Sequence, residues 1–192
     1  MGLGLFIAGA VVFFGLHLFT SFRKRGPGDI RERMGRQRFM GLYSLGSGVS
    51  FVALIWGYAL MRPGEAHVWD AAPWTRHLVL SAMFPTLVLL AASYTPTGYI
   101  KKWVGHPMLT AVMLWATVHL IANGDFAEVL LFGSFLAYAV IDRIALVMRG
   151  DRGAAKEKAN ILGDMMAISV GGAAYLAVAF WLHSLIIGVP VT

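Results

Sequence analysis

Two histidines of this sequence, His17 and His119, lie inside long stretches without a charged residue. A polar side chain at membrane depth is costly, so an imidazole at such a position predicts a function. Neutral imidazole binds iron or zinc, and two imidazoles can hold one haem iron. The alternative, from the residues alone, is that each imidazole hydrogen-bonds a neighbouring helix. The sequence therefore predicts either a metal or haem site or two structural histidines.

The neighbours of both histidines at helical spacing are aromatic or small. Phe13 precedes His17 by one turn, and Trp115 and Ala116 precede His119. Small residues would leave room for a flat group, which aromatic rings could enclose. At 1.5 Å per residue the two histidines differ in depth by about 10 Å. A tilted haem plane could absorb this offset, so a shared iron is compatible with the spacing but does not follow from it.

Further polar residues lie near the ends of apolar stretches. His106 precedes Pro107, which suits the first turn of a helix, so His106 could cap that helix, contact a cofactor carboxylate or act in acid–base chemistry. Asp142 and Arg143 could pair with another helix or reach the membrane surface, and Arg143 could bind a haem propionate. Interfacial or structural roles are expected for the remaining histidines, which are His67, His77 and His183.

The composition indicates a membrane protein. Of the 192 residues 58% are hydrophobic and only 14% charged, whereas a soluble domain carries about 25% charged residues. The absence of cysteine excludes disulfides, thiolate ligation of haem and cysteine-bound iron–sulfur clusters. Bilayers admit helices of roughly 20 apolar residues. We therefore predict an all-α, polytopic membrane helix bundle, a single domain over 1–192 with about six transmembrane helices near 3–22, 39–61, 76–93, 107–123, 126–148 and 165–188.

The basic residues predict the orientation in the membrane. Fourteen of the 16 Lys and Arg residues lie in or next to three alternate loops, at 23–38, 94–106 and 149–164. Cytoplasmic loops carry such an excess, so these loops are expected in the cytoplasm and both termini on the outer side. The net charge of +6 is then a topology signal, and no nucleic-acid partner is expected.

An ordered set of motifs runs along most of the chain: LHLFTSFR at 16–23, GLYS at 41–44, WTRHL at 74–78, GHPML at 105–109, LWATVHLIANG at 114–124 and LLFGSF at 130–135. This set resembles the NnrU family of bacterial inner-membrane proteins. The resemblance implies an inner-membrane location, a role in nitrite and nitric oxide metabolism during denitrification, and components of a respiratory or nitrogen-oxide reductase as partners.

The NnrU family is itself similar to plastid zeta-carotene isomerase, a membrane enzyme whose haem b has two histidine ligands. His17 and His119 match its ligand-bearing segments, while Ala116 stands where the isomerase has a cysteine. The resemblance thus implies a haem b site held by His17 and His119, with a redox, sensing or isomerase-like role. A ligand switch to cysteine is not implied.

Two other functions are compatible with the sequence. One is a non-enzymatic scaffold or assembly factor for a respiratory reductase. The other is a membrane methyltransferase of the isoprenylcysteine type, since His106 and Pro107 resemble part of its Arg-His-Pro-x-Tyr-x-Gly motif. Gly105, Leu109 and Ala111 depart from that motif, which disfavours cofactor binding.

Overall fold

The structure, a computed structural model, describes residues 1–23, 26–62 and 66–190. These ranges are almost entirely helical. Besides the α-helices there are a 3₁₀ turn at Gly153–Lys156 and a π-helical turn at Val178–Leu182. The α-helices are α1 (Gly2–Phe22), α2 (Ile30–Met34), α3 (Arg36–Met61), α4 (Thr75–Tyr94), α5 (Tyr99–Val104), α6 (Pro107–Ala122), α7 (Phe126–Met148), α8 (Ile161–Ala177) and α9 (His183–Ile187).

Five helical segments are long and apolar enough to cross a membrane. Their mean hydropathy is 1.5 to 2.1, and only 11% to 28% of the most apolar window of each is buried. Most of their apolar side chains therefore face outward, an arrangement that lipid stabilises and water does not. The predicted membrane helix bundle is confirmed. The five segments are Gly2–Phe22, Arg36–Met61, Thr75–Tyr94, Phe126–Lys156 and Ile161–Ile187.

The expected span at 107–123 is a shorter helix, α6, of 16 residues. At 1.5 Å per residue it is about 24 Å long, against about 30 Å of hydrocarbon. It packs between α4 and α7. Pro107 occupies its first turn, and at its other end the side chain of Asn123 donates a hydrogen bond to the carbonyl of His119 over 2.7 Å.

The last span differs from the expected 165–188 in two ways. It begins earlier, at Ile161, because the side chain of Asn160 accepts a hydrogen bond from the backbone of Leu162. The carboxylate of Asp164 does not end the helix, since it is buried and accepts 2.9 Å hydrogen bonds from the backbone N–H groups of Tyr99 and Ile100. The span also leaves α-helical geometry at the π-helical turn before α9.

The bundle consists of two groups of helices, α1 with α3 and α7, and α6 with α4 and α8, joined where α6 meets α7. Glycines allow the closest approaches. A Cβ atom at Gly57 would lie 2.3 Å from the backbone nitrogen of Phe6, and one at Gly9 would lie 2.5 Å from that of Leu54. In the second group a Cβ at Gly171 would lie 2.5 Å from the Cα of Val88.

The loops meet at two ends of the bundle, as expected for antiparallel neighbours. At the end that carries the three basic loops, here called the basic end, Ala154 donates a backbone hydrogen bond to Gly105 and Asn160 donates one to Thr97. At the opposite end Arg62 donates to the carbonyl of Ile187 over 2.9 Å. That the basic end faces the cytoplasm stays a prediction.

Candidate functional site

A cavity of about 560 Å³ lies where α1, α6 and α7 meet, and it reaches the basic end of the bundle. Its walls are mostly apolar, and their polar side chains are those of His17, Ser93, Lys101, His106, Tyr138, Asp142 and Asp151. The cavity is lined by Phe13, His17, Ser93, Lys101, Gly105, His106, Pro107, Met108, Leu109, Val112, Phe135, Tyr138, Asp142, Leu146 and Asp151. We call it the His17 cavity.

The imidazole of His17 is held in one orientation by its own helix. Its Nδ1 lies 2.7 Å from the carbonyl oxygen of Phe13. A carbonyl can only accept, so Nδ1 carries the proton and Nε2 keeps its lone pair. The ring of Phe13 lies 4.3 Å away, and those of Tyr43 and Tyr138 lie 5.5 Å and 5.7 Å away. Histidines that bind metals are oriented by such a second hydrogen bond.

His119 is held in the same way but faces a different cavity. Its Nδ1 donates to the carbonyl of Trp115 over 2.9 Å, and the ring of Phe132 lies 4.9 Å from the imidazole. The cavity that His119 lines measures about 40 Å³ and lies between α4, α6 and α8, with His183 on its wall. We call it the His119 cavity.

The structure does not bring His17 and His119 to one cavity. A chain of ring contacts links the two imidazoles through Phe13, Phe135 and Trp115. The centroids of Phe13 and Phe135 are 5.9 Å apart, and those of Phe135 and Trp115 are 5.4 Å apart. One iron held by both histidines would require these rings to move, so that pairing stays a prediction.

His106 lines the His17 cavity at its basic end. It occupies the N-cap position of α6, and its Nε2 donates to the backbone carbonyl of Asp151 over 3.1 Å. The ring thereby holds the loop after α7 against α6. Arg143 is not among the residues that line the cavity, whereas its neighbour Asp142 is, at 3.4 Å from the hydroxyl of Tyr138. The expected propionate contact of Arg143 therefore stays a prediction.

A second, basic cavity adjoins the His17 cavity, since Asp151 lines both. It measures about 770 Å³ and carries four cationic side chains, those of Arg23, Arg149, Arg152 and Lys156. Sequence reasoning treated these cations as a topology signal only. The last three fall within eight residues of one loop after α7, and this clustering was the signal that could have placed them together. Arg149 also donates to the backbone carbonyl of Ser21 and so joins α7 to α1.

The residues of the His17 cavity fit haem b. Its volume lies within the roughly 300–1,000 Å³ typical of ligand pockets. Apolar walls suit the porphyrin ring, the Nε2 lone pair of His17 suits iron, and the basic cavity suits the two propionates. A metal centre of three or more His, Asp or Glu ligands is not found in the described part of the chain.

Comparison with known proteins supplies a family. A family model described as NnrU protein matches residues 5–191, nearly the whole chain. The search of curated proteins gives no match, and neither does the search of solved structures.

Proposed function

Since the chain belongs to the NnrU family, we propose that it binds haem b in the His17 cavity and serves nitrite and nitric oxide metabolism in the bacterial inner membrane. Family membership fits a membrane protein of this metabolism broadly. The haem, its ligand and the role of the cavity are the proposal itself.

One observation carries the proposal, the orientation of His17. Its Nδ1–H is bound by the carbonyl of Phe13, and its ring lines an apolar cavity large enough for a flat cofactor. A histidine with a merely structural role would use its remaining nitrogen on a neighbouring helix. Here that nitrogen has its lone pair available, and the tautomer is already the one that binds a metal.

The basic cavity gives the proposed site its polarity. Haem b is an apolar ring with two carboxylates on one edge, so its binding requires apolar walls that lead to cations. The guanidinium of Arg152 and the ammonium of Lys156 line the basic cavity next to Asp151. They would bind the propionates with charge-assisted hydrogen bonds, and the ring would enter toward His17.

The protein's own residues would bind the cofactor, orient it and keep water away. The side chains of Leu109, Val112 and Phe135 give the wall its apolar character. The hydroxyl of Tyr138 and the carboxylate of Asp142 lie next to each other in the same wall. These two groups would hold a proton near His17. Bound haem would supply one-electron chemistry and affinity for small gases.

Absorption spectroscopy tests the proposal. Protein purified in detergent from haem-replete cells should show a Soret band when oxidised, and sharpened visible bands when reduced. His17→Ala should lose both, while His77→Ala, which removes a histidine outside the cavity, should keep them. A colourless wild-type preparation, or an unchanged spectrum in His17→Ala, would contradict the proposal.

A further inference from the structure

The His119 cavity gathers three side chains that bind soft metal ions. The imidazoles of His119 and His183 and the thioether of Met83 all line it, although they come from α6, α9 and α4. The rest of the cavity lining is Tyr175 and five apolar residues, which are Val79, Leu80, Leu87, Val178 and Ala179.

In both imidazoles Nδ1 is the nitrogen that donates a hydrogen bond, which leaves Nε2 to carry the lone pair. The Nδ1 of His119 donates to the carbonyl of Trp115 over 2.9 Å, and the Nδ1 of His183 donates to that of Val189 over 2.7 Å. In the neutral form of each ring the lone pair is therefore on Nε2. Two imidazoles that share one cavity in the same tautomer are arranged as ligands, not as a donor–acceptor pair.

A backbone irregularity provides an independent indication of a site. The π-helical turn at Val178–Leu182 ends directly before His183, and Val178 and Ala179 line the cavity. Such turns are rare and frequently occur at functional sites, because they redirect a side chain that a regular helix would place elsewhere. Here the turn sets the position of His183 relative to α4 and α6.

We propose that His119, His183 and Met83 form a copper(I) site, separate from the His17 cavity. The donor set is two nitrogens and a thioether sulfur, and thioethers select Cu(I) among biological metals. A divalent ion would bring two positive charges into a cavity whose lining contains no carboxylate, a costly arrangement in an apolar environment. A single positive charge lowers that cost.

The volume of the cavity also limits its occupant. At about 40 Å³, it is far smaller than the roughly 300–1,000 Å³ of typical ligand pockets, so an ion suits it and an organic cofactor does not. A haem cannot enter it without displacing α4 or α8. The site would therefore hold a bare ion bound by the protein alone.

Anaerobic titration with Cu(I) against a chromophoric Cu(I) chelator tests the site on the full chain in detergent. We expect one tightly bound Cu(I) per chain. X-ray absorption should show nitrogen near 2.0 Å and sulfur near 2.3 Å, as in other imidazole and sulfur sites. His119→Gln and His183→Gln should weaken binding by about a hundredfold, and Met83→Leu, which keeps the volume, by about tenfold.

Matched variants keep the result interpretable. His77→Gln and Met165→Leu change a histidine and a methionine that line neither cavity, and should bind Cu(I) like the wild type. Folding of each variant is checked by its elution profile in detergent. The proposal would be overturned if the folded wild type bound no Cu(I), if His183→Gln and Met83→Leu bound it as tightly as the wild type, or if Zn²⁺ bound more tightly than Cu(I).

The haem proposal and the copper proposal can fail separately. A colourless preparation that still binds one Cu(I) would end the first and keep the second. A Soret band that disappears in both His17→Ala and His119→Ala would mean that haem uses His119, and would overturn the copper site.

Discussion

His17 and His119 are oriented by the same hydrogen bond and yet face different cavities. Each Nδ1 donates to the carbonyl four residues earlier, over 2.7 Å at His17 and 2.9 Å at His119. Each Nε2 is therefore available to a metal, but the rings of Phe135 and Trp115 pack in the chain of contacts between them. The two histidines can therefore serve two separate sites as they are placed. Binding one shared metal would require the rings between them to rearrange.

The first prediction separates these histidines. His119→Ala should keep the haem content and the Soret band within about 20% of wild type, because the His17 cavity does not include His119. Pyridine haemochrome analysis of the purified variant measures this. A loss of haem equal to that in His17→Ala would instead show that one iron uses both imidazoles.

The second prediction concerns the basic cavity. The double variant Arg152→Gln, Lys156→Gln should bind haem roughly tenfold more weakly, since each partly exposed cation contributes about 0.5–1 kcal/mol to a charged contact. Titration of the haem-free protein with haem measures the affinity. The double variant Arg31→Gln, Arg33→Gln, in the first basic loop, removes the same charge and is the control. An equal loss of haem affinity in the control would show that the effect comes from net charge and not from a contact of these two side chains.

The third prediction tests the glycine contacts between α1 and α3. Gly57→Val should destabilise the bundle by about 1–3 kcal/mol, because even its Cβ would lie 2.3 Å from the backbone of Phe6. Unfolding in mixed detergent, followed by circular dichroism, measures the change. Gly15→Val is the control, since a Cβ there would have nothing within 4 Å. Equal destabilisation of both variants would attribute the effect to helix propensity.

The fourth prediction concerns Asp164, which joins α8 to the N-terminus of α5. Asp164→Ala should cost about 2–4 kcal/mol, because the backbone N–H groups of Tyr99 and Ile100 would lose their charged acceptor. The same unfolding assay applies. Glu32→Gln, an exposed carboxylate with a hydrogen bond to the backbone of Gly28, should cost less than about 0.5 kcal/mol. A stability of Asp164→Ala close to wild type would be the contrary result.

The fifth prediction is a pH dependence at the loop before α4. The imidazole of His67 donates hydrogen bonds to the carboxylates of Asp125, over 2.7 Å, and Asp70, over 2.8 Å, and these bonds raise the pKa of His67 above its usual value. The bonds therefore stabilise the loop fully below about pH 6.5, and the stabilisation is lost as the pH rises through the raised pKa of the folded state.

Hydrogen exchange at the amide of Val68 reports on this loop, since that N–H donates to the carbonyl of Gly124 over 2.8 Å. Its protection factor, corrected for the intrinsic rate, should fall as the pH rises above about 6.5. In His67→Gln the protection should be lower at the acidic end and independent of pH. Constant protection in the wild type would exclude the charged pair as the cause.

Most of the fold could be predicted from the sequence because it depends on local properties. Hydropathy and length identified α1, α3, α4 and α7 to within about three residues. The start of α8 was misplaced because the charge of Asp164 was read as a boundary. Its partners, the backbone groups of Tyr99 and Ile100, lie more than 60 residues away, and hydropathy does not register such a contact.

The sequence by itself determined a membrane helix bundle, its family and two histidines within apolar helices, because apolar length, motif order and residue type do not depend on packing. Only the tertiary structure decided which cavity each histidine faces. That outcome depends on how far each helix is rotated and how closely it approaches its neighbours, as at Gly57 against Phe6 and at Gly171 against Val88. If either helix were rotated about its axis by one residue, about 100°, its histidine would no longer face its cavity.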